Sequence, residues 1–125
     1  MITGTVNEYK EAIITLTVKG PSGQEALIGA IIDTGFNGFL TLPPDVVRNL
    51  DLARLSRGRA QLADGGETIF DIYSSMVLWD DELKEVEVDE VASTPLVGMS
   101  MLYNSELHIH AVEGGLIRII GASGA

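Results

Sequence analysis

Residues 26–38 read ALIGAIIDTGFNG, and this stretch decides the fold. Its first seven residues, 26–32, are apolar at odd and even positions alike, which predicts a central β-strand buried on both faces. The strand ends at Asp33, which Thr34 and Gly35 follow. An ionised carboxylate beside apolar walls is costly unless it is hydrogen-bonded or paired, so Asp33 is a candidate functional residue. An ordinary turn is the alternative interpretation, because Asp and Gly both favour turns.

On either side of this stretch the chain reads as short strands separated by glycine turns. Alternation predicts half-buried strands over 12–18 and 85–89, the second with acids facing outward and valines inward. Pro44 favours the first position of a short helix over 44–50. Further strands are predicted over 39–42, 57–63, 67–78, 95–98, 106–112 and 116–120, with a helical turn over 99–103. The sequence therefore predicts a mostly β fold, one closed or folded sheet with one or two short helices.

A length of 125 residues is typical of one domain. We expect a single domain over 1–120, followed by a flexible tail over 121–125. The absence of cysteine from the sequence excludes a disulfide scaffold and thiolate metal sites. The longest apolar run is far shorter than a membrane span, and the first residues lack a signal-peptide pattern. A cytoplasmic location is therefore expected.

The formal net charge is −10, from eight Lys and Arg against 18 Asp and Glu. Nucleic acids and anionic membranes are bound through clustered cations, so neither is an expected partner. Seven of the acids lie between Asp80 and Glu90. Such a run is typical of a solvated strand face, and an acidic interaction surface is the alternative.

Four elements in order resemble single-lobe, retropepsin-like aspartic proteases of the bacterial type. Residues 30–36 (AIIDTGF) are similar to the active-site loop of that family, and residues 95–98 (PLVG) to the element that packs beneath it. Between them, residues 64–66 (DGG) stand where the family has a β-hairpin flap. A helix and a closing hairpin over 99–120 complete the order. The resemblance covers nearly the whole chain and implies a retropepsin-like closed β-barrel and peptide hydrolysis.

Peptide hydrolysis by aspartic proteases needs two carboxylates that share one proton. Two like charges about 3 Å apart cannot both ionise readily, so their pKa values separate into an acid and a base. This chain has one Asp-Thr-Gly, so the resemblance implies a homodimer with Asp33 of both subunits as the catalytic pair. Thr34 would hold the partner loop, the Gly35 N–H would donate to the Asp33 carboxylate, and Gly98 would support the loop. Neither a metal nor an organic cofactor is implied.

Residues at the flap tip, Asp64, Gly65 and Gly66, would close on an extended, largely apolar polypeptide substrate. Any solvent-exposed hairpin has a similar sequence, which is the alternative for these three residues. The resemblance places Asn37 and Gly38 at the substrate as well.

This sequence departs from the retroviral pattern in the active-site loop. Retroviral members commonly carry acidic residues where Asn37 and Gly38 stand, and an arginine where Met99 follows Gly98. Those groups pair with each other, and here both sides of the pair are missing. We therefore expect dimer contacts and substrate pockets that differ from the retroviral ones.

The sequence is also compatible with two other functions. A non-catalytic dimeric β-barrel module that binds peptides or mediates protein assembly is the alternative to the enzyme, because one fold supports many functions. The second possibility is a metal site at His108 and His110, which point to one face of a predicted strand. A third ligand with suitable spacing is lacking, so surface or interface histidines are the favoured interpretation.

Overall fold

The structure is a computed structural model that describes residues 1–121. Within these residues ten β-strands belong to one sheet, with two short helices between them. The predicted tail begins inside a strand at Gly121, and residues 122–125 lie outside the described part of the chain. The elements are β1 (Ile2–Val6), β2 (Ala12–Lys19), β3 (Glu25–Ile32), β4 (Leu40–Leu42), α1 (Pro44–Asn49), β5 (Ala53–Gln61), β6 (Glu67–Trp79), β7 (Glu82–Glu90), β8 (Leu96–Val97), α2 (Met99–Leu102), β9 (Ser105–Ile109) and β10 (Leu116–Gly121).

Six of the strands are paired in a ring. β2 is antiparallel to β3 and to β6. β3 is parallel to β8, which is antiparallel to β4, and β4 is parallel to β7. β7 is antiparallel to β6, so the pairings return to β2. β1, β10 and β9 extend the sheet from β2 in that order, and β5 extends it from β6, which confirms the mostly β class.

Alternation along the strands builds the core. In β2 the side chains of Ile14, Leu16 and Val18 are buried. In β7 Val86 and Val88 are buried, whereas the acids between and before them are exposed. These apolar residues join one cluster of buried side chains, each contributing about 1.5–3 kcal/mol by leaving water. The acidic run therefore lies largely on a solvated strand face.

The prediction that residues 26–32 are buried on both faces is wrong. The even-numbered residues of this run point to the core or its edge, but Leu27 is 76% exposed and Gly29 is also exposed. β3 is central because it lies between β2 and β8. An apolar run predicts burial without saying what covers each face, and within one chain only one face of β3 is covered.

Strand boundaries also differ from the prediction. β1 was not predicted, because Thr and Gly interrupt the apolar pattern of its sequence, ITGTV. Its Gly4 packs so closely on β2 that a Cβ atom there would clash with the carbonyl oxygen of Ile13. β5 starts at Ala53 instead of residue 57, and β9 ends at Ile109 instead of residue 112. Pairing with neighbouring strands, which the sequence does not reveal, sets these limits.

The β5–β6 hairpin extends beyond the ring of strands. Residues 57–61 and 67–71 pair only with each other, and the two strands meet at a turn over residues 62–66. Most side chains of this segment are exposed. Among residues 1–121 no helix has the length and apolar character needed to cross a membrane.

Candidate active site

Asp33 lies at the end of β3, where the parallel partner strand β8 sets its position. The two strands are in register up to Ile32 and Val97. The pairing continues one residue further, because the Asp33 N–H donates to the Val97 carbonyl oxygen at 2.9 Å. The backbone of Asp33 is therefore hydrogen-bonded to β8 as a strand residue would be. The next two residues, Thr34 and Gly35, are exposed to solvent.

The carboxylate of Asp33 is held by the turn that follows it. The Gly35 N–H donates to Asp33 Oδ1 at 2.9 Å, and the Phe36 N–H donates to the Asp33 carbonyl oxygen at 3.1 Å. A backbone N–H that donates to a carboxylate gives a charge-assisted bond, which is stronger than a neutral one. The Asp33 side chain is thus fixed in direction while the residue itself is half-buried.

Gly98 is buried beneath the loop and leaves no room for a side chain. A Cβ atom at Gly98 would lie 2.5 Å from Phe36 Cδ2 and 2.6 Å from the Phe36 carbonyl oxygen. Gly38 is also close to the Phe36 ring, with its Cβ position 2.5 Å from Cζ. The two glycines therefore allow the Phe36 ring to pack within the loop.

Backbone hydrogen bonds join the loop to the start of α2. The Met99 N–H donates to the Phe36 carbonyl oxygen at 2.8 Å, and the Ser100 N–H donates to that of Gly38 at 3.1 Å. The Ser100 hydroxyl also donates to the carbonyl oxygen of Asn37. These bonds lie where the retroviral pattern has an acid–arginine pair, so this chain links the same segments without that pair.

Comparison of the sequence with protein-family models and with curated proteins gives no match. Comparison of the structure finds the crystal structure of a retropepsin-like aspartic protease from Rickettsia conorii, with a TM-score of 0.61 and 17% sequence identity. The match covers 95% of this chain and 87% of that chain. The chain has a retropepsin-like fold.

Within this retropepsin-like fold, Asp64, Gly65 and Gly66 form the tip of the β5–β6 hairpin. The Gly66 N–H donates to Asp64 Oδ1 at 2.8 Å, and Gly65 has a φ of +88°, which favours glycine. The described residues include no hydrogen bond between this tip and Asp33. The structure thus places the three residues on a projecting hairpin, and their contact with a substrate stays a prediction.

A supporting residue that the sequence did not single out is Thr41 in β4. Its hydroxyl oxygen accepts a hydrogen bond of 2.9 Å from the Leu96 N–H, and Thr41 is buried. The bond joins β4 to β8 just before the strand reaches Gly98. A polar residue between Leu40 and Leu42 was the available signal, because a buried hydroxyl needs a partner.

A polar cluster lies at the base of the hairpin, beyond the predicted site residues. Arg54 Nε donates to Asp71 Oδ1 at 3.1 Å, and Arg57 lies 3.9 Å from the same oxygen. Burial raises the pKa of Tyr73, and the carboxylates of Glu90 and Asp71 raise it further. The cluster links β5, β6 and β7 where the hairpin leaves the ring.

His108 and His110 do not form a metal site in the described residues. His108 Nε2 lies 3.7 Å from Glu106 Oε1, and the His108 side chain is 47% exposed. Among residues 1–121, no three His, Cys, Asp or Glu side chains are grouped closely enough to hold a metal ion. Both histidines are exposed, as expected, but only His108 lies in β9, which ends at Ile109 just before His110.

One chain presents one Asp33 carboxylate at this loop. A single carboxylate can accept a proton or orient a water molecule, but it cannot act as acid and base in the same step. The exposed loop surface at Thr34 and Gly35 leaves room beside the carboxylate for another group. The site is therefore chemically incomplete in one chain for acid–base hydrolysis of a peptide.

Proposed function

We propose that this protein is an aspartic endopeptidase of the bacterial retropepsin-like type, active as a homodimer with a closed barrel in each subunit. The observation that carries the proposal is the Asp33 carboxylate, fixed by the Gly35 N–H at 2.9 Å, in a retropepsin-like fold. The fold alone supports many functions, so the proposal depends on this carboxylate and its setting.

In the proposed reaction the two Asp33 carboxyls of the dimer share one proton. The ionised carboxylate takes a proton from a bound water molecule, which attacks the carbonyl carbon of the peptide bond. The protonated carboxyl donates its proton to the carbonyl oxygen, and a tetrahedral intermediate forms. The first carboxyl, which now holds the water proton, gives it to the nitrogen, while the second carboxylate takes a proton from a hydroxyl of the intermediate. The C–N bond breaks, a carboxylic acid and an amine leave, and the pair again shares one proton. Repulsion between two carboxylates about 3 Å apart favours one shared proton, so we expect cleavage from acidic to near-neutral pH.

The neighbouring residues have supporting roles in this proposal. The exposed Thr34 binds the loop of the second subunit, and the absence of a side chain at Gly98 leaves space for the Phe36 ring within the loop. The β5–β6 hairpin covers an extended, largely apolar segment of polypeptide, to which its tip donates backbone hydrogen bonds. Asn37 and Gly38 contribute the loop side of the same substrate groove.

Incubation of concentrated protein with a diverse peptide mixture tests the proposal. Products are identified by mass spectrometry from acidic to neutral pH, for the wild type, Asp33→Asn and Asp64→Asn. We expect cleavage by the wild type and Asp64→Asn, and at least about 10²-fold slower cleavage by Asp33→Asn. Cleavage that is strongest in alkali would contradict the shared-proton mechanism. A folded, dimeric wild type that cleaves nothing at any pH would favour the non-catalytic peptide-binding module.

A further inference from the structure

The positive charge of this acidic chain is concentrated in one strand. Of the eight Lys and Arg residues in the sequence, three lie in β5, namely Arg54, Arg57 and Arg59, and β5 contains no Asp or Glu. The chain as a whole has a net charge of −10. β5 is one strand of the hairpin that projects beyond the ring, so these cations lie on an accessible part of the molecule. A cationic strand in an acidic chain is a candidate surface for anionic groups.

A bulge in β5 brings the three arginines to the same face of the hairpin. Side chains alternate along a regular strand, which would place Arg54 on the face opposite to Arg57 and Arg59. The register with β6 shifts by one residue just after Arg54, and this shift reverses the alternation. Arg54 thus stands opposite Tyr73, and Arg57 stands opposite Asp71. Arg54 Nε lies 3.1 Å and Arg57 Nε 3.9 Å from the same oxygen, Asp71 Oδ1.

This arginine-bearing face continues the side of β6 that faces the core. Tyr73 packs against the core, and Ser75 and Val77 further along the strand are buried. Alternate residues of a regular strand share one face, so Asp71 follows Tyr73 on this side. The arginines therefore lie on the inner face of the hairpin. In the proposed function this is the face that covers the substrate.

Backbone pairing connects the base of this face to the candidate catalytic loop. The Asp33 N–H donates to the Val97 carbonyl oxygen. From Val97 the register continues through Leu40 and Val88 to Tyr73. Neighbouring strands lie about 4.8 Å apart, so these three steps span about 14 Å around the ring, which an extended peptide covers with about four residues. A peptide bound at Asp33 can therefore reach the arginine-bearing face within a few residues of the cleaved bond.

Two of the three guanidinium groups are available to a ligand. Arg57 Nε is 3.9 Å from Asp71 Oδ1 and Arg59 Nη1 is 4.0 Å from Glu67 Oε2, and both distances exceed that of a hydrogen bond. The two arginine side chains are 70% and 74% exposed. A guanidinium group binds a carboxylate through two parallel N–H···O bonds. Ile69 stands opposite Arg59 and is exposed, so the same face also offers an apolar contact.

We propose that the substrate carries acidic residues beside the apolar residues at its cleavage site, and that Arg57 and Arg59 bind their carboxylates. This preference rests on the proposed function, in which the hairpin covers an extended polypeptide. Arg54 neutralises Asp71, so that this carboxylate does not repel an acidic substrate. The preference opposes the net charge of the chain, which by itself would favour cationic peptides.

Peptide binding to the full chain with Asp33→Asn tests this preference without the need for cleavage. Two labelled peptides share the same apolar centre and carry either Glu or Gln on both sides of it. Fluorescence anisotropy gives the Kd of each peptide at about 0.15 M salt, where long-range repulsion by the acidic chain is screened. We expect the Glu peptide to bind roughly tenfold more tightly than the Gln peptide, as two exposed ion pairs would give.

Charge variants of the hairpin, made in the same Asp33→Asn chain, identify the groups responsible. Arg57→Gln combined with Arg59→Gln should bring the ratio of the two Kd values to about one, because an amide does not attract a carboxylate as a cation does. Arg57→Glu combined with Arg59→Glu should invert the ratio. Arg48→Gln combined with Arg118→Gln removes two exposed arginines outside the hairpin and should preserve it. Circular dichroism verifies that each variant is folded.

The result is separable from that of the proposed function. If the Glu peptide does not bind more tightly, or if its advantage survives the loss of both hairpin arginines, the assigned preference is wrong, even where the wild type cleaves peptides through Asp33. Loss of the advantage in the Arg48 and Arg118 control would also overturn it, since overall charge would then be the cause. If the advantage depends on the hairpin arginines but the wild type cleaves nothing, the preference stands and the peptidase proposal fails.

Discussion

Two Asp-x-Gly turns in this chain share the same local geometry and differ in their surroundings. Asp33 accepts the N–H of Gly35 at 2.9 Å, and Asp64 accepts the N–H of Gly66 at 2.8 Å. The first turn ends a strand, and its backbone is hydrogen-bonded to β8. The second is the exposed tip of a projecting hairpin. A three-residue motif therefore does not distinguish a candidate catalytic carboxylate from an ordinary turn, whereas the packing around it does.

The largest expected difference between the turns is in cleavage. Asp33→Asn should lower kcat by about 10²–10⁴-fold, because an amide cannot exchange the proton that the reaction requires. Asp64→Asn keeps an oxygen that accepts the Gly66 N–H, and residue 64 performs no proton transfer in the proposed reaction. We therefore expect the kcat of this variant to change by less than about twofold. Steady-state kinetics on one peptide substrate measures both. Equal losses in the two variants would remove the distinction between the turns.

Replacement of a glycine by alanine should destabilise the fold more beside the Asp33 turn than at the tip of the β5–β6 hairpin. Gly98→Ala forces a Cβ atom to within 2.6 Å of Phe36 atoms, and such overpacking costs about 3 kcal/mol. Gly65→Ala meets nothing within 4 Å, so only its φ of +88° opposes the change, at about 1 kcal/mol. Urea unfolding of the two variants gives both free energies. The comparison fails if Gly65→Ala is the more destabilised.

Alanine substitution of Gly35 and of Gly66 tests how much the position of the neighbouring carboxylate matters, because the added Cβ atom is nearly equally crowded at the two sites. A Cβ atom would lie 3.2 Å from Asp33 Oδ1 at Gly35 and 3.1 Å from Asp64 Oδ1 at Gly66. Gly35→Ala should reduce kcat/KM by about 10-fold or more, because displacement of a reacting group is costly to the rate. Gly66→Ala should alter KM more than kcat, since in the proposed function the hairpin tip contacts substrate and takes no part in the proton transfers. A kcat loss at Gly66 as large as at Gly35 would contradict this assignment.

A carboxyl group near the end of β7 gives the smallest expected effect. Burial raises the pKa of Asp89, and the nearby Glu87 raises it further. The folded chain then binds the proton more tightly than the unfolded chain, so this group destabilises the fold as pH rises through its raised pKa. Asp89→Asn should stabilise the protein at neutral pH by less than about 1 kcal/mol, because water screens a half-buried charge. The gain should vanish in acid, where the carboxyl of the wild type is protonated.

Sequence patterns predicted the parts of the fold that depend on local chemistry. Alternation gave β2 and β7, and Asp-Gly-Gly gave the hairpin tip at residues 64–66. The pairing of β2 with β6 joins segments about sixty residues apart, and it has no local signal. The same limit applies to β1, which is stabilised by neighbours on both sides instead of by its own apolar residues.

At the candidate site, the sequence predicted the turn residues but not the groups that hold them in place. Asp33-Thr34-Gly35 followed from the strand that ends there, and Gly98 from a resemblance. The Val97 carbonyl that holds Asp33 and the Thr41 hydroxyl that holds Leu96 depend on strands meeting from distant parts of the chain. Backbone acceptors carry no side-chain signature, so only the folded arrangement identifies them.

The neighbouring positions of β1 and β10 bear on how the protein is made. Ile2 stands opposite Ile119, so β1 leaves the ribosome well before the strand that covers one of its edges. At the usual elongation rates of about 5–20 residues per second, this strand waits for seconds with that edge open. Completion of the sheet therefore waits until β10 has been synthesised, and chaperones that shield nascent strands have their opportunity during that interval.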